Sequence, residues 1–148
     1  MTTSTRSTTS IVESLIASNH RLTRIAAQST GSTISSAVWS ALSVLVSDGP
    51  RRIGDLARDA RISQPGMTKV VQNLVQDEWV SRVADVDDSR AWLIVVTDKG
   101  RAALADWRSQ LARATGPVFA DLSDTDWKVL EHAAEILAAR VSQSEVAA

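Results

Sequence analysis

Along the chain, stripes of apolar residues at helical spacing give way to short runs rich in β-branched residues. Ile11, Leu15, Leu22, Ile25 and Ala26 predict a first helix. Ser10 and Glu13 open it as a capping box, and it ends near Gln28, before Gly31 and its Ser/Thr neighbours. Ala37, Val38, Ala41, Leu42 and Leu45 predict a second helix over 33–46, stopped by Asp48, Gly49 and Pro50. Ile53, Leu56, Ala57 and Ala60 give a short third helix over 53–59. About four residues later comes a fourth, where Met67, Val70, Val71 and Leu74 recur at i, i+3, i+4 and i+7. Ser63 suits its N-cap and Pro65 its first turn. Two short helices joined by so tight a turn form a helix-turn-helix.

The runs 79–84 and 91–97 read as strands around a polar tip, 85–90, and so form a hairpin wing directly after the helix-turn-helix. Thr97 and Asp98 open a fifth helix with Leu104, Trp107, Leu111 and Ala114 on one stripe, ended or kinked by Gly116 and Pro117. Ser123 and Asp126 cap a sixth, with Leu122 placed to staple onto Trp127. Its residues Trp127, Leu130, Ala134, Leu137 and Val141 follow the 3-4-3-4 spacing of a coiled-coil seam. Such a seam is a dimer element or packs within its own chain, and both stay open. The expected fold is mainly α with a small β-hairpin wing: six helices around a winged helix-turn-helix.

The fourth helix has a second face. Pro65, Lys69, Gln72 and Gln76 lie opposite its apolar stripe, flanked by Thr68 and Asn73. That face is amide-rich and carries a cation, with no acid until Asp77. It fits a helix entering a DNA major groove, and equally an ordinary solvated surface.

Composition narrows the function classes. The 148 residues are 44% apolar, enough for one domain with a real core. No apolar run approaches membrane-spanning length, so no membrane partner is expected. The absence of cysteine removes disulfides, thiolate metal sites and cysteine redox sensing, and fits the cytoplasm. His20 and His132 stand on different helices without metal-ligand spacing, and no nucleophile or phosphate-loop motif is present. No catalytic residue, metal or cofactor is expected. Net charge is −1, and residues 50–100 hold eight Lys/Arg against eight Asp/Glu, so any DNA affinity must come from local placement of charge. Residues 1–9, rich in Ser and Thr, read as a disordered tail.

The motifs in order are Ile53-Gly-Asp-Leu-Ala57, then Ile62-Ser-Gln-Pro-Gly-Met-Thr-Lys69, then Leu74, Val80 and Arg82. Asp85, Asp88, Arg90 and Ala91 follow, then Val96, Thr97 and Gly100. This succession resembles the MarR family of bacterial transcription regulators, over about residues 10–145. The resemblance implies one domain over 10–145, with a winged-helix DNA-binding part at 33–100 and dimerisation helices at 10–30 and 98–145. It implies a homodimer whose paired fourth helices enter successive major grooves of a pseudo-palindromic operator, with the wings in the flanking minor grooves. It also implies a repressor, released by a small aromatic or anionic effector.

Carried onto this chain, the DNA-contacting residues are Ser63, Gln64, Pro65, Gly66, Thr68, Lys69 and Gln72, with Asp88 and Arg90 on the wing. Gln64 has the donor and acceptor to read adenine. Lys69 suits a phosphate. Arg90 matches the minor-groove arginine, and Asp88 the acid that steadies it. Ile11, Leu15, Trp127, Leu130, Leu137 and Val141 fall to dimerisation. His20, Arg24, Trp39 and Trp107 border the region of the family's effector pocket. Three positions depart from the family: Ser89 replaces a wing basic residue, Glu78 a glycine, and Trp79 a small aliphatic. Trp79 and Trp92 are expected in the core, and Asp85, Asp87 and Asp88 in a solvated turn. The alternative is a dimeric winged-helix protein-interaction module without specific DNA binding.

Overall fold

Each predicted stripe forms a helix, with shifts at the ends. The computed structural model describes residues 7–146, and side-chain surroundings through residue 143. The helices are α1 (Thr8–Thr30), α2 (Ser36–Asp48), α3 (Ile53–Asp59), α4 (Gln64–Gln76), α5 (Asp98–Ala114) and α6 (Asp124–Val146). A 3-10 turn, Gly116–Phe119, joins the last two. Strands β1 (Arg51–Arg52), β2 (Val80–Ala84) and β3 (Trp92–Val96) form an antiparallel sheet in the order β1-β3-β2.

Where the structure departs from the sequence pattern, the causes are local. Ser7, not Ser10, caps α1: its Oγ accepts the Ser10 N–H at 3.2 Å, which adds a turn upstream. Residues 7–9 therefore belong to the cap and first turn, and the rest of the expected tail, 1–6, lies outside the described residues. The second helix starts at Ser36, because Ser32 Oγ accepts the Ile34 N–H and ties 32–34 into a local turn. It runs on to Asp48, where Gly49 with φ 81° stops it. Strand β1, two residues long, is too short to show a periodicity; Arg51 pairs with Ile94 and Arg52 with Leu93. Trp92 is not core. It stands on the last rung of the hairpin, opposite Ala84, beyond the helices, and is 58% exposed. Near the expected staple, Trp127 meets the Phe119 ring, centroids 5.9 Å apart.

The core lies between α2, α3, α4, α5 and the sheet. Leu42, Leu45, Leu56, Met67, Val71, Leu74 and Leu104 are fully buried. The α4 stripe Met67, Val70, Val71 and Leu74 is buried to the last residue. Each such side chain contributes roughly 1.5–3 kcal/mol by leaving water, which holds the opposite face of α4 outward. The end helices differ. On α1 only Ala26 is buried, and on α6 no side chain through residue 143 is. Ile11, Leu15, Trp127, Leu130, Leu137 and Val141 are 40–59% exposed, so a single chain leaves this apolar surface uncovered. Among the described residues, no helix is long and apolar enough to cross a membrane.

Candidate nucleic-acid interface

The site begins with how α3 stops. The Ile62 N–H donates to Ala57 O at 2.8 Å and the Arg61 N–H to Arg58 O at 3.0 Å, a Schellman ending. It requires φ > 0 at Arg61, and φ there is 56°. The turn aims the chain at Ser63, whose Oγ accepts the Gly66 N–H at 3.2 Å and caps α4. Gln64, Pro65, Lys69 and Gln72 are exposed, whereas Gly66 and Thr68 are half-buried. The Thr68 hydroxyl donates to Gln64 O at 3.0 Å, which leaves its oxygen free to accept. A Cβ on Gly66 would stand 3.0 Å from Ser63 Oγ, so glycine here keeps the N-cap intact. Gln64 Oε1 lies 3.7 Å from where a Cβ of Gly54 would stand, an ordinary van der Waals distance that places the glutamine against α3.

The far end of α4 is clamped to α5. A second Schellman ending, Trp79 N–H to Leu74 O at 2.9 Å and Glu78 N–H to Val75 O at 3.0 Å, holds Glu78 at φ 61°. The Thr97 hydroxyl donates to Glu78 O at 2.7 Å, and the Thr97 N–H to Trp79 O at 3.0 Å. Thr97 Oγ1 also caps α5 by accepting the Gly100 N–H. Trp79 stacks on Trp39 (centroids 5.6 Å), which stacks on Trp107 (4.6 Å). This stack connects α5 through α2 to the end of α4. An open cleft of about 250 Å³ beside it is bordered by Ser32, Ile34, Asp106 and Gln110 as well as the three tryptophans. Trp39 is 6% exposed, and its Nε1–H is buried without a hydrogen-bond partner among the described residues. His20 and Arg24 are exposed on α1 and do not line the cleft.

The wing is fixed at its base. Asp85 is 7% exposed and pairs with Arg52, so the expected solvated acidic cluster is really one buried clamp and two surface acids. Asp85 Oδ1 accepts the Asp87 N–H at 3.0 Å. That backbone donor first, and the Arg52 guanidinium second, hold the Asp85 carboxyl below its ordinary pKa. Asp85 in turn raises Arg52. At the tip, Asp88 Oδ1 accepts the backbone N–H of Arg90 at 3.1 Å; the acid sets the loop, and the arginine head is left without an ion pair among the described residues.

These contacts sort the charges. Arg51 pairs with Asp48 and Asp59, Arg58 with Asp55 and Asp59, and Lys99 with Glu78. Arg61, Lys69, Arg82 and Arg90 have no ion pair among the described residues. Arg61 and Lys69 flank the first turns of α4, whereas Asp77 caps its other end, about 20 Å away along 13 residues. Equal counts of acid and base thus hide a local excess of cation where the helix begins. Arg52 and Arg61 carry no signal in the local sequence pattern strong enough to single them out. Arg52 meets its partner 33 residues on, which no local pattern reveals. Arg61 has only a weak signal, its place after a helix end in a four-residue turn, where glycine is usual.

Residues 32–91, the span from before α2 to the wing, match the model of the MarR family. This part of the chain is similar to the MarR family. The regulator BilQ of Clostridioides difficile, an HTH-type transcriptional regulator, is 27% identical over 78 residues. That match covers 53% of each chain, so the chain spans about half the length of this relative. A probable transcriptional regulator from Pseudomonas aeruginosa is 26% identical in structure-based alignment, with TM-score 0.56, covering 86% of this chain and 96% of that one. Bordetella bronchiseptica BpsR, whose DNA binding is regulated by 6-hydroxynicotinic acid, shares the fold at TM-score 0.57 and 19% identity, covering 86% and 92%. Within the MarR family pattern, the positive φ of Glu78 explains why a glycine is expected there, and Trp79 finds its place in the tryptophan stack.

Proposed function

We propose that this chain is a sequence-specific DNA-binding transcription regulator of the cytoplasm, acting as a homodimeric repressor on a pseudo-palindromic operator. The observation that carries the reading is the exposed first half of α4. It is capped by Ser63, carries Gln64, Thr68 and a Lys69 with no ion pair among the described residues, and has its other face locked into the core. Gln64 and Gln72 read base edges, Lys69 contacts phosphate, and Arg90 enters a minor groove from a wing braced by Asp85 and shaped by Asp88. Two copies pair through 10–30 and 98–145, where Ile11, Leu15, Trp127, Leu130, Leu137 and Val141 stand uncovered. In the test, duplex binding is titrated with salt for the parent and a Lys69→Ala/Arg90→Ala variant. The variant should bind more weakly with a shallower salt slope. Unchanged binding by the variant contradicts these roles.

The even charge balance favours a second reading, a dimeric protein-interaction module. A parent that binds no duplex at any salt concentration supports it. For release, the cleft beside Trp39 and Trp107 takes a small aromatic or anionic effector, a reading supported by the regulation of BpsR. Tryptophan fluorescence titration with aromatic acids tests this, and a flat response across varied candidates counts against it.

A further inference from the structure

Arg61 occupies a backbone position that disfavours it, and nothing described in the fold uses its side chain. Its φ of 56° is enforced by the Schellman ending of α3, where glycine would sit without a steric penalty. The guanidinium is exposed, with no ion pair or side-chain hydrogen bond among the described residues. Its nearest rivals for acid are satisfied. Arg58, three residues earlier, holds Asp55 and Asp59, and Arg51 holds Asp48 and Asp59. Arg61 therefore keeps its whole charge. It stands two residues before the Ser63 cap, within about 7 Å of it by chain reach. There the free N–H groups and dipole of α4, a 13-residue helix, already favour an anion.

We propose that Arg61 is a DNA-backbone contact: its guanidinium binds a phosphate next to the start of α4, on the same strand segment that Lys69 approaches. This rests on the DNA-binding reading above. A residue in a backbone conformation that disfavours it, whose charged head has no ion pair or side-chain hydrogen bond among the described residues, points to a use in the bound state. The planar guanidinium suits two oxygens of one phosphate.

The test uses the full chain with Arg61→Gly, Arg61→Asn and Arg61→Lys. Urea midpoints are measured at one protein concentration, and salt-dependent binding is measured on a duplex the parent selects. Arg61→Gly should unfold at higher urea than the parent yet bind DNA more weakly, with the log–log salt slope shallower by about 0.9 per protomer. Arg61→Asn, which tolerates the left-handed backbone without the charge, should show the same loss of slope. Arg61→Lys should keep the slope. Two results overturn the proposal: Gly and Asn variants with the parent's slope, or a Gly variant that loses both stability and binding. A parent that binds no duplex removes the DNA reading itself, and this contact with it.

Discussion

Arg52 donates two hydrogen bonds to one oxygen of Asp85, from Nε at 2.8 Å and from Nη2 at 2.6 Å. With the Asp87 N–H on the other oxygen, this carboxylate joins β1 to the base of the wing. The first prediction concerns pH. The folded pKa of Asp85 is lowered, so its contribution is complete above the ordinary carboxylate value of about 3.9 and is lost as pH falls through the lowered value. Asp85→Asn should be less stable than the parent at pH 7, with the gap in urea midpoint closing below about pH 4. A gap that stays constant into acid assigns the effect to something other than this clamp.

A second prediction follows from Glu78. Its left-handed backbone costs about 1–2 kcal/mol, and its ion pair with Lys99, both side chains exposed, returns only about 0.5 kcal/mol. Glu78→Gly should raise the unfolding free energy by about 1 kcal/mol, whereas Glu78→Ala, which keeps the strain, should not. Chemical denaturation of both variants decides it.

A third concerns the junction between α4 and α5. A Cβ on Gly100 would stand 2.1 Å from the Trp79 carbonyl oxygen, which is backbone and already engaged by the Thr97 N–H. Gly100→Ala should cost about 3 kcal/mol or prevent folding. Stability within half that of the parent would show that the two segments separate easily.

Much of this is legible in the sequence. The α4 stripe, the Ser63 cap and the hairpin limits depend on local spacing, and they form as the pattern requires. What was hidden depends on distance or on competition. Arg52 and Asp85 meet only once the sheet closes. Ser7 outcompetes Ser10 because both can cap, and the upstream one adds a turn. Trp92 has a core residue's type and register but sits past the last helix that might cover it. Within the candidate site, Lys69 and the amides were visible as a face, but the neutralisation of Arg51, Arg52 and Arg58 was not.

A fourth prediction concerns assembly. The seam of α6 leaves Leu130 at 41% and Leu137 at 45% exposed, beside a half-exposed Trp127. Leu130→Glu/Leu137→Glu should turn a dimer into a monomer in sedimentation and lower stability with it. A parent that sediments as a monomer at micromolar concentration contradicts the dimer.

The most direct measurement is selection of bound sequences from a random duplex pool by the parent and by Gln64→Ala/Lys69→Ala. The parent should enrich two inverted half-sites about 10 base pairs apart, centre to centre, and the variant should lose that enrichment. No enrichment by the parent at any salt concentration, or the same site enriched by the variant, would contradict α4 as the reading element.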